Sequence, residues 1–356
     1  MRAALTLAIA LTLVAAVPVA LPEDDSSRFT YYTMPTMAAG PCDLASGPDG
    51  LMWGEDILSN NIFTINQKTG VVKEYPIPYT GDALPITNLP TGGPTENRGA
   101  FACAIRLGAD GNMYAASGVR NQLVKINVQT KAMTILNPPG IGPAGNLEPF
   151  NDLWTLKTGM LFTQTTGNVI TYYDYTSGKF TNYNVPTPVA GPLGMYVASD
   201  GWAYFTEFFA NKIGRFNQSN GEIQEFPVID PLGAGPAVIR AETPGLIWFT
   251  ALVGGSMGSF NMQTHEIKIY PNNIPLSLPS EDTVSPDGRV WFSTIAHSSI
   301  NYVQPATGAI VNIEQPINLL PVPVNLPVGL EVAVNYRSGY IWFTDALYNR
   351  VGAYKL

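Results

Sequence analysis

A short phrase recurs seven times along this 356-residue chain. It reads roughly Gly–x–x–aromatic–Phe–Thr–acid, with a polar residue seven positions after the aromatic and an apolar one two further on. The aromatic anchors, or their apolar substitute, are Trp53, Tyr114, Leu161, Tyr204, Trp248, Trp291 and Trp342. Seven positions on stand Asn60, Asn121, Asn168, Asn211, Gly255, Ser298 and Asn349, and nine on stand Ile62, Leu123, Ile170, Ile213, Met257, Ile300 and Val351. Linked recurrence at roughly 40–60 residues marks a repeat architecture, in which each unit buries its apolar face against its neighbours.

Within each repeat, apolar and polar residues alternate with period two. Asp49–Gly50, Asp110–Gly111, Asp200–Gly201 and Asp287–Gly288 precede the anchors; Thr69–Gly70, Ser177–Gly178, Asn220–Gly221 and Thr307–Gly308 follow later in the repeat. Such dipeptides supply the positive φ that tight hairpins need. Each repeat therefore reads as a four-stranded antiparallel blade, and the chain as an all-β, seven-bladed β-propeller. The last repeat reaches Leu356 after only three strands, while the alternating segment Arg28–Met34 has no blade of its own. Pairing the two closes the ring and removes an open sheet edge. Connections into the innermost strands and after the anchor strands then share one face around the channel, with the Asp-Gly and Thr-Gly turns opposite. This places His297 on the channel-mouth face and His265 on the far rim.

The formal charge of −8 and the lack of a Lys/Arg cluster argue against nucleic acid as a partner. Residues 1–20 carry Arg2, an uncharged apolar run and small residues, the pattern of a signal peptide. The expectation is thus a secreted or secretory-lumen protein with one propeller over 21–356 and no membrane span once the signal is removed. In that setting Asn217, within Asn217–Gln218–Ser219, becomes a glycosylation acceptor. The only cysteines, Cys42 and Cys103, each lie eleven residues before an anchor in adjacent blades. An exported protein is expected to join them; the alternative is a pair of thiols at the mouth.

Trp248–Phe249–Thr250, Trp291–Phe292–Ser293, Trp342–Phe343–Thr344–Asp345 and Tyr204–Phe205–Thr206–Glu207 resemble the blades of streptogramin (virginiamycin B) lyases, as do Pro192–Leu193–Gly194 and Pro327–Val328–Gly329. The resemblance implies the propeller fold and, for those lyases, Mg²⁺-assisted opening of a cyclic depsipeptide ester by histidine and glutamate. Carried over by position, the histidine falls on Ser280 and the glutamate on Thr294, while the fifth blade offers Ala237. With neither imidazole nor carboxylate there, elimination of that type is not expected, and no metal or other cofactor is assigned. Lyase-like propellers without these residues resemble exported fungal hetero-Diels–Alder cyclases of tropolone–sesquiterpenoid pathways.

The functional expectation is a cofactor-free enzyme on a hydrophobic small molecule, or alternatively a secreted propeller that binds a peptide, glycan or small molecule. Positions three after the anchor are read as pointing to the mouth, which makes Asp56, Gln164, Glu207 and Thr294 the candidate catalytic hydrogen-bonding groups. Asp345 and Asp56, in blades made adjacent by closure, could share a proton. Asn151, Trp154, Phe209, Ser280, His297 and Asp345 complete the candidate binding set. Apolar, proline-rich loops over Tyr79–Ala102, Pro138–Phe150 and Pro316–Pro327 are expected to roof the site.

Overall fold

The computed structural model describes residues 25–78, 103–117, 121–139, 152–230, 233–274, 276–316 and 330–356. Their strands form seven four-stranded antiparallel sheets. The inner strands, in order, are Pro41–Ser46, Ile105–Leu107, Leu153–Thr155, Pro192–Val197, Pro236–Thr243, Pro279–Val284 and Val334–Arg337. Each pairs with its anchor strand, and that strand with a third. In blade 7 the outermost strand is Phe29–Thr33, in register with Arg350–Lys355 from Phe29↔Tyr354 to Thr33↔Arg350. The ring closes as the alternating N-terminal segment requires.

Each repeated residue has a structural task. The anchors Trp53, Tyr114, Tyr204, Trp248, Trp291 and Trp342 are fully buried between blades. Their polar tips turn to the Asp-Gly face: Trp53 Nε1 donates to Asp49 Oδ1 (2.9 Å), and the Tyr114 and Tyr204 hydroxyls donate to Asp110 and Asp200 (both 2.8 Å). The following phenylalanines, such as Phe205, Phe249 and Phe343, are also fully buried, each stabilising the core by about 1.5–3 kcal/mol. Phe205 lies flat over Gly214, where any Cβ would overlap its ring.

The asparagines seven after the anchor adopt left-handed φ of 48–57° in the hairpin between second and third strands, a conformation Asn tolerates better than most residues. Their amides also hold the incoming connection of the next blade. Asn168 Oδ1 accepts the Ala190 N–H at 2.7 Å while its Nδ2 donates to Val185 O and Thr187 O. Asn211 and Asn349 do the same for Gly235 and Ala39.

The threonine two after the anchor clips blade to blade. Thr206 Oγ1 accepts Gly194 N–H within its own blade (2.7 Å) and donates to Ala237 O of the next (2.6 Å). Thr163, Thr250, Ser293 and Thr344 repeat this double contact. Blade 1 has Glu55 at this position, accepting Ala104 N–H of blade 2, and the same junction carries the Cys42–Cys103 disulfide, Cα–Cα 5.3 Å. That spacing lies within the range of an unstrained bridge. Gly194 itself admits no Cβ, because blade 5 backbone at Ala237 O and Val238 Cα would lie within 2.7 Å of it.

Candidate functional site

The central channel is crossed by a buried charged plug built from inner-strand side chains of five blades. Arg240 of blade 5 grips Asp152 of blade 3 at two points, Nε to Oδ2 (3.1 Å) and Nη2 to Oδ1 (2.7 Å). Its Nη1 reaches Asp43 of blade 1 at 3.2 Å and also contacts Glu281 of blade 6. Arg106 of blade 2 pairs with Asp43 at 2.7 Å and stands 3.5 Å from Asp152. All of these carboxylates are less than 4% exposed. Asp282 Oδ1 accepts the Arg240 N–H at 3.0 Å.

Two guanidiniums thus face Asp43, Asp152, Glu281, Asp282 and, beside Asp43, Glu55. Burial raises the Asp152 carboxyl to about 7 against the opposing pull of Arg106, and Asp43 adds to the rise. Burial likewise pushes Glu55 and Asp282 well above the usual carboxylate range, with no guanidinium among the main influences on either. Desolvation exceeds the available counter-charge at these positions, which favours the neutral form of their carboxyls.

The plug separates two cavities. At the mouth, a cavity of about 70 Å³ is walled by Leu193, Gly194, Ala237, Val238, Leu252, Ile295, Val332 and Cys103, with Ser280, Asp152, Glu281 and Arg240 as its polar groups. At the turn face, a cavity of about 230 Å³ is lined by Ala45, Ser46, Arg106, Leu107, Trp154, Thr155, Arg240, Asp282, Thr283, Val334 and Asn335. Exposed apolar side chains mark the mouth: Met37, Val189, Phe209, Ile229, Val253, Leu276, Leu330 and Leu347 all lie in connections on that face. Such residues crowd where an apolar partner or ligand is received.

Among the residues expected from sequence, Ser280 lines the mouth cavity and Phe209 is exposed at its rim. Trp154 lines the opposite cavity. Asn151 and nearly all of the three proline-rich loops lie outside the described residues. The residues three after the anchor sit at the mouth end of their blades but face the third strand, and none lines either cavity. Asp345 is held by Arg350 Nε at 2.7 Å, Gln164 donates to Thr171 Oγ1 at 2.7 Å, and Thr294 donates to His297 O at 2.7 Å. Asp56 accepts from Ser59 at 3.3 Å, and Glu207 is flanked by Lys212 and Glu225.

Burial drives Glu207 to about 8 and Asp56 well above the carboxylate range, with Glu74 adding to the latter; burial also raises Asp345, against Arg350. The main electrostatic neighbour of Asp56 is thus Glu74, and that of Asp345 is Arg350, rather than each other. His297 Nδ1 lies 3.1 Å from Ser299 Oγ. Asn217 is half-buried, its Oδ1 accepting from Ser219 N and Oγ.

Asp43, Arg106, Arg240, Glu281 and Asp282 were missed by sequence reasoning, although Arg106 and Arg240 each stand eight residues before an anchor and Asp43 and Glu281 each ten before one. A second signal was a charge amid the apolar residues of an inner strand, as at Arg240 in Pro236–Thr243. Among the described residues no three His, Cys, Asp or Glu converge to hold a metal ion. The carboxylates that do meet are engaged by guanidiniums or backbone amides, so the residues here do not fit the Mg²⁺ implied by the lyase resemblance.

Fold and site define a closed seven-bladed propeller with an apolar pocket at the mouth of a plugged channel. Within that class the chain is similar to the virginiamycin B lyases: the model of the Virginiamycin B lyase family matches residues 153–303, less than half of the chain. Virginiamycin B lyase from Staphylococcus aureus superimposes with a TM-score of 0.75 at 20% identity, over 92% of this chain and 99% of that one. A catalytically inactive histidine-to-alanine variant of the same enzyme, solved with quinupristin, gives the same values. A streptogramin B lyase structure matches at TM-score 0.73 and 20% identity, over 91% and 96% of the two chains. At this identity the structural likeness carries the fold alone. No curated protein sequence matches the chain.

Proposed function

We propose that this protein is an exported enzyme that receives an apolar small molecule in the mouth cavity and promotes its cyclisation without a cofactor, as in an intermolecular hetero-Diels–Alder reaction. The observation that carries the reading is the composition of the mouth: Leu193, Val238, Leu252, Ile295 and Val332 surround a pocket whose polar groups belong to the plug and Ser280. Such a wall favours burial of an apolar substrate, and a few fixed polar groups orient it. Orientation of two reacting fragments lowers a barrier by several kcal/mol with no nucleophile involved. In this reading the Ser280 hydroxyl and the Arg240 guanidinium offer hydrogen bonds to a polarised carbonyl. Asp56, Gln164, Glu207 and Thr294, expected from sequence to do so, lie one strand farther out and support the rim.

The second reading is a non-catalytic binding propeller. It draws on the same pocket and on the absence of histidine and glutamate at Ser280 and Thr294. The two are separated by incubating the protein with a reactive diene and an electron-poor partner, alongside binding of an apolar fluorophore. Accelerated, stereoselective product that disappears in Val238→Trp supports the enzyme. Fluorophore binding without acceleration leaves the binding propeller, and absence of both overturns the pocket as a ligand site.

A further inference from the structure

The turn-face cavity lies at the far end of the channel from the family-like mouth, and all of its lining residues are described. Asp282 at its wall is 1% exposed, and its Oδ2 has no hydrogen-bond partner among the described residues. The charges of Arg106 and Arg240 are directed to Asp43, Asp152 and Glu281, so Asp282 is the plug carboxylate of blade 6 without an ion pair of its own. Nearby, Arg106 Nε has no hydrogen-bond partner among the described residues, whereas Nη2 of the same guanidinium faces Asp152 and Glu281 at 3.5 and 4.0 Å. Trp154, Thr283 and Asn335 complete the wall.

We propose that this cavity binds a small primary amine carrying a hydrogen-bond-accepting oxygen, its ammonium on Asp282 and its oxygen on Arg106 Nε. The charge balance decides the sign of the ligand. Both guanidiniums already face carboxylates and Asp282 has no guanidinium partner, so an added cation finds an unpaired carboxyl whereas an added anion finds no unengaged guanidinium. Burial raises the Asp282 carboxyl well above the usual carboxylate range, and an ammonium seated beside it favours its ionised form. Trp154 adds an aromatic wall of the kind that recognises organic cations.

The test uses the full chain and calorimetry with ethanolamine, comparing acetate, and following Trp154 emission in parallel. Ethanolamine should bind, and Asp282→Asn should weaken it at least about tenfold, the scale of one charged hydrogen bond. Ser46→Trp, a change at an exposed rim position that leaves the plug intact, should block entry and abolish binding, which keeps the test open if Asp282→Asn fails to fold. Absence of binding at millimolar ethanolamine overturns the proposal. So does preferred binding of acetate, or ethanolamine binding unchanged by Ser46→Trp.

Discussion

Arg240 and Asp152, from blades 5 and 3, meet across the channel in a two-point contact of 2.7 and 3.1 Å. Both are buried, and Arg240 simultaneously reaches Asp43 and Glu281, so one side chain links four blades. Removing one member of such a pair leaves uncompensated buried charge, at a cost of about 3–5 kcal/mol. Arg240→Met should therefore lower the unfolding free energy extrapolated from urea titration by that amount at neutral pH. Combining it with Asp152→Asn should recover part of the loss, since the two changes share one interaction. Additive losses would show that Arg240 acts through other contacts.

The junction of blades 1 and 2 replaces the threonine clip by Glu55 and a disulfide. Closing a loop between residues 61 apart stabilises by about 4 kcal/mol in the chain-entropy model. Thiol labelling of the denatured, unreduced protein should find no free cysteine. Cys42→Ala with Cys103→Ala should lower stability by that order, whereas Thr206→Val, which removes one hydroxyl clip, should cost about 1–2 kcal/mol.

The strand Phe29–Thr33 caps the edge of Arg350–Lys355 and stacks Tyr32 on Trp342, ring centroids 5.3 Å apart. Deleting residues 25–34 should expose that edge and convert monomer to aggregate in size-exclusion chromatography. A deletion variant that stays monomeric with unchanged melting would contradict this role.

The blade count, the closing strand and the bonded cysteines were legible because each rests on local signals repeated at fixed offsets. The asparagine after the anchor is visible seven positions on because one left-handed turn and one clamp need it in nearly every blade. The plug was not legible, since its charges recur in only two blades each, as Arg106 and Arg240 do eight residues before their anchors, and they meet only after the ring closes. The direction of Asp56, Gln164, Glu207 and Thr294 was misread for a related reason. Alternation places them opposite the threonine clip, and the partner on that side is the third strand, as Asp345 with Arg350 shows.

Glu207 provides a pH signature. Its carboxyl titrates near 8 in the fold, raised chiefly by burial, against about 4.3 in an unfolded chain. A group with a raised folded pKa favours the native state fully at low pH and loses that contribution as pH rises between the two values. Relative to Glu207→Gln, the wild type should therefore lose stability from about pH 4.5 to 8, by at most about 1.4 kcal/mol per pH unit, and then level off. Unfolding midpoints of the two proteins compared across this range check it. A constant difference would mean that Glu207 is ionised throughout.

Streptogramin cleavage separates the fold from the family's chemistry. The positions aligned with the lyase histidine and glutamate carry Ser280 and Thr294. Ser280 lines the mouth cavity but offers a neutral hydroxyl, and Thr294 is fully buried with its hydroxyl donated to His297 O. Neither supplies a base, and the acids nearest the mouth are held by Arg240. Incubation with a streptogramin B and Mg²⁺ should leave the ring intact, as followed by chromatography of the linear product. Ser280→His alone should not restore cleavage, because an imidazole there would lack the carboxylate partner. Adding Thr294→Glu should not do so either, since that side chain faces the third strand. Turnover above background in the unmodified protein would mean that other mouth residues, with Glu281 and His297 the first to examine, perform the elimination.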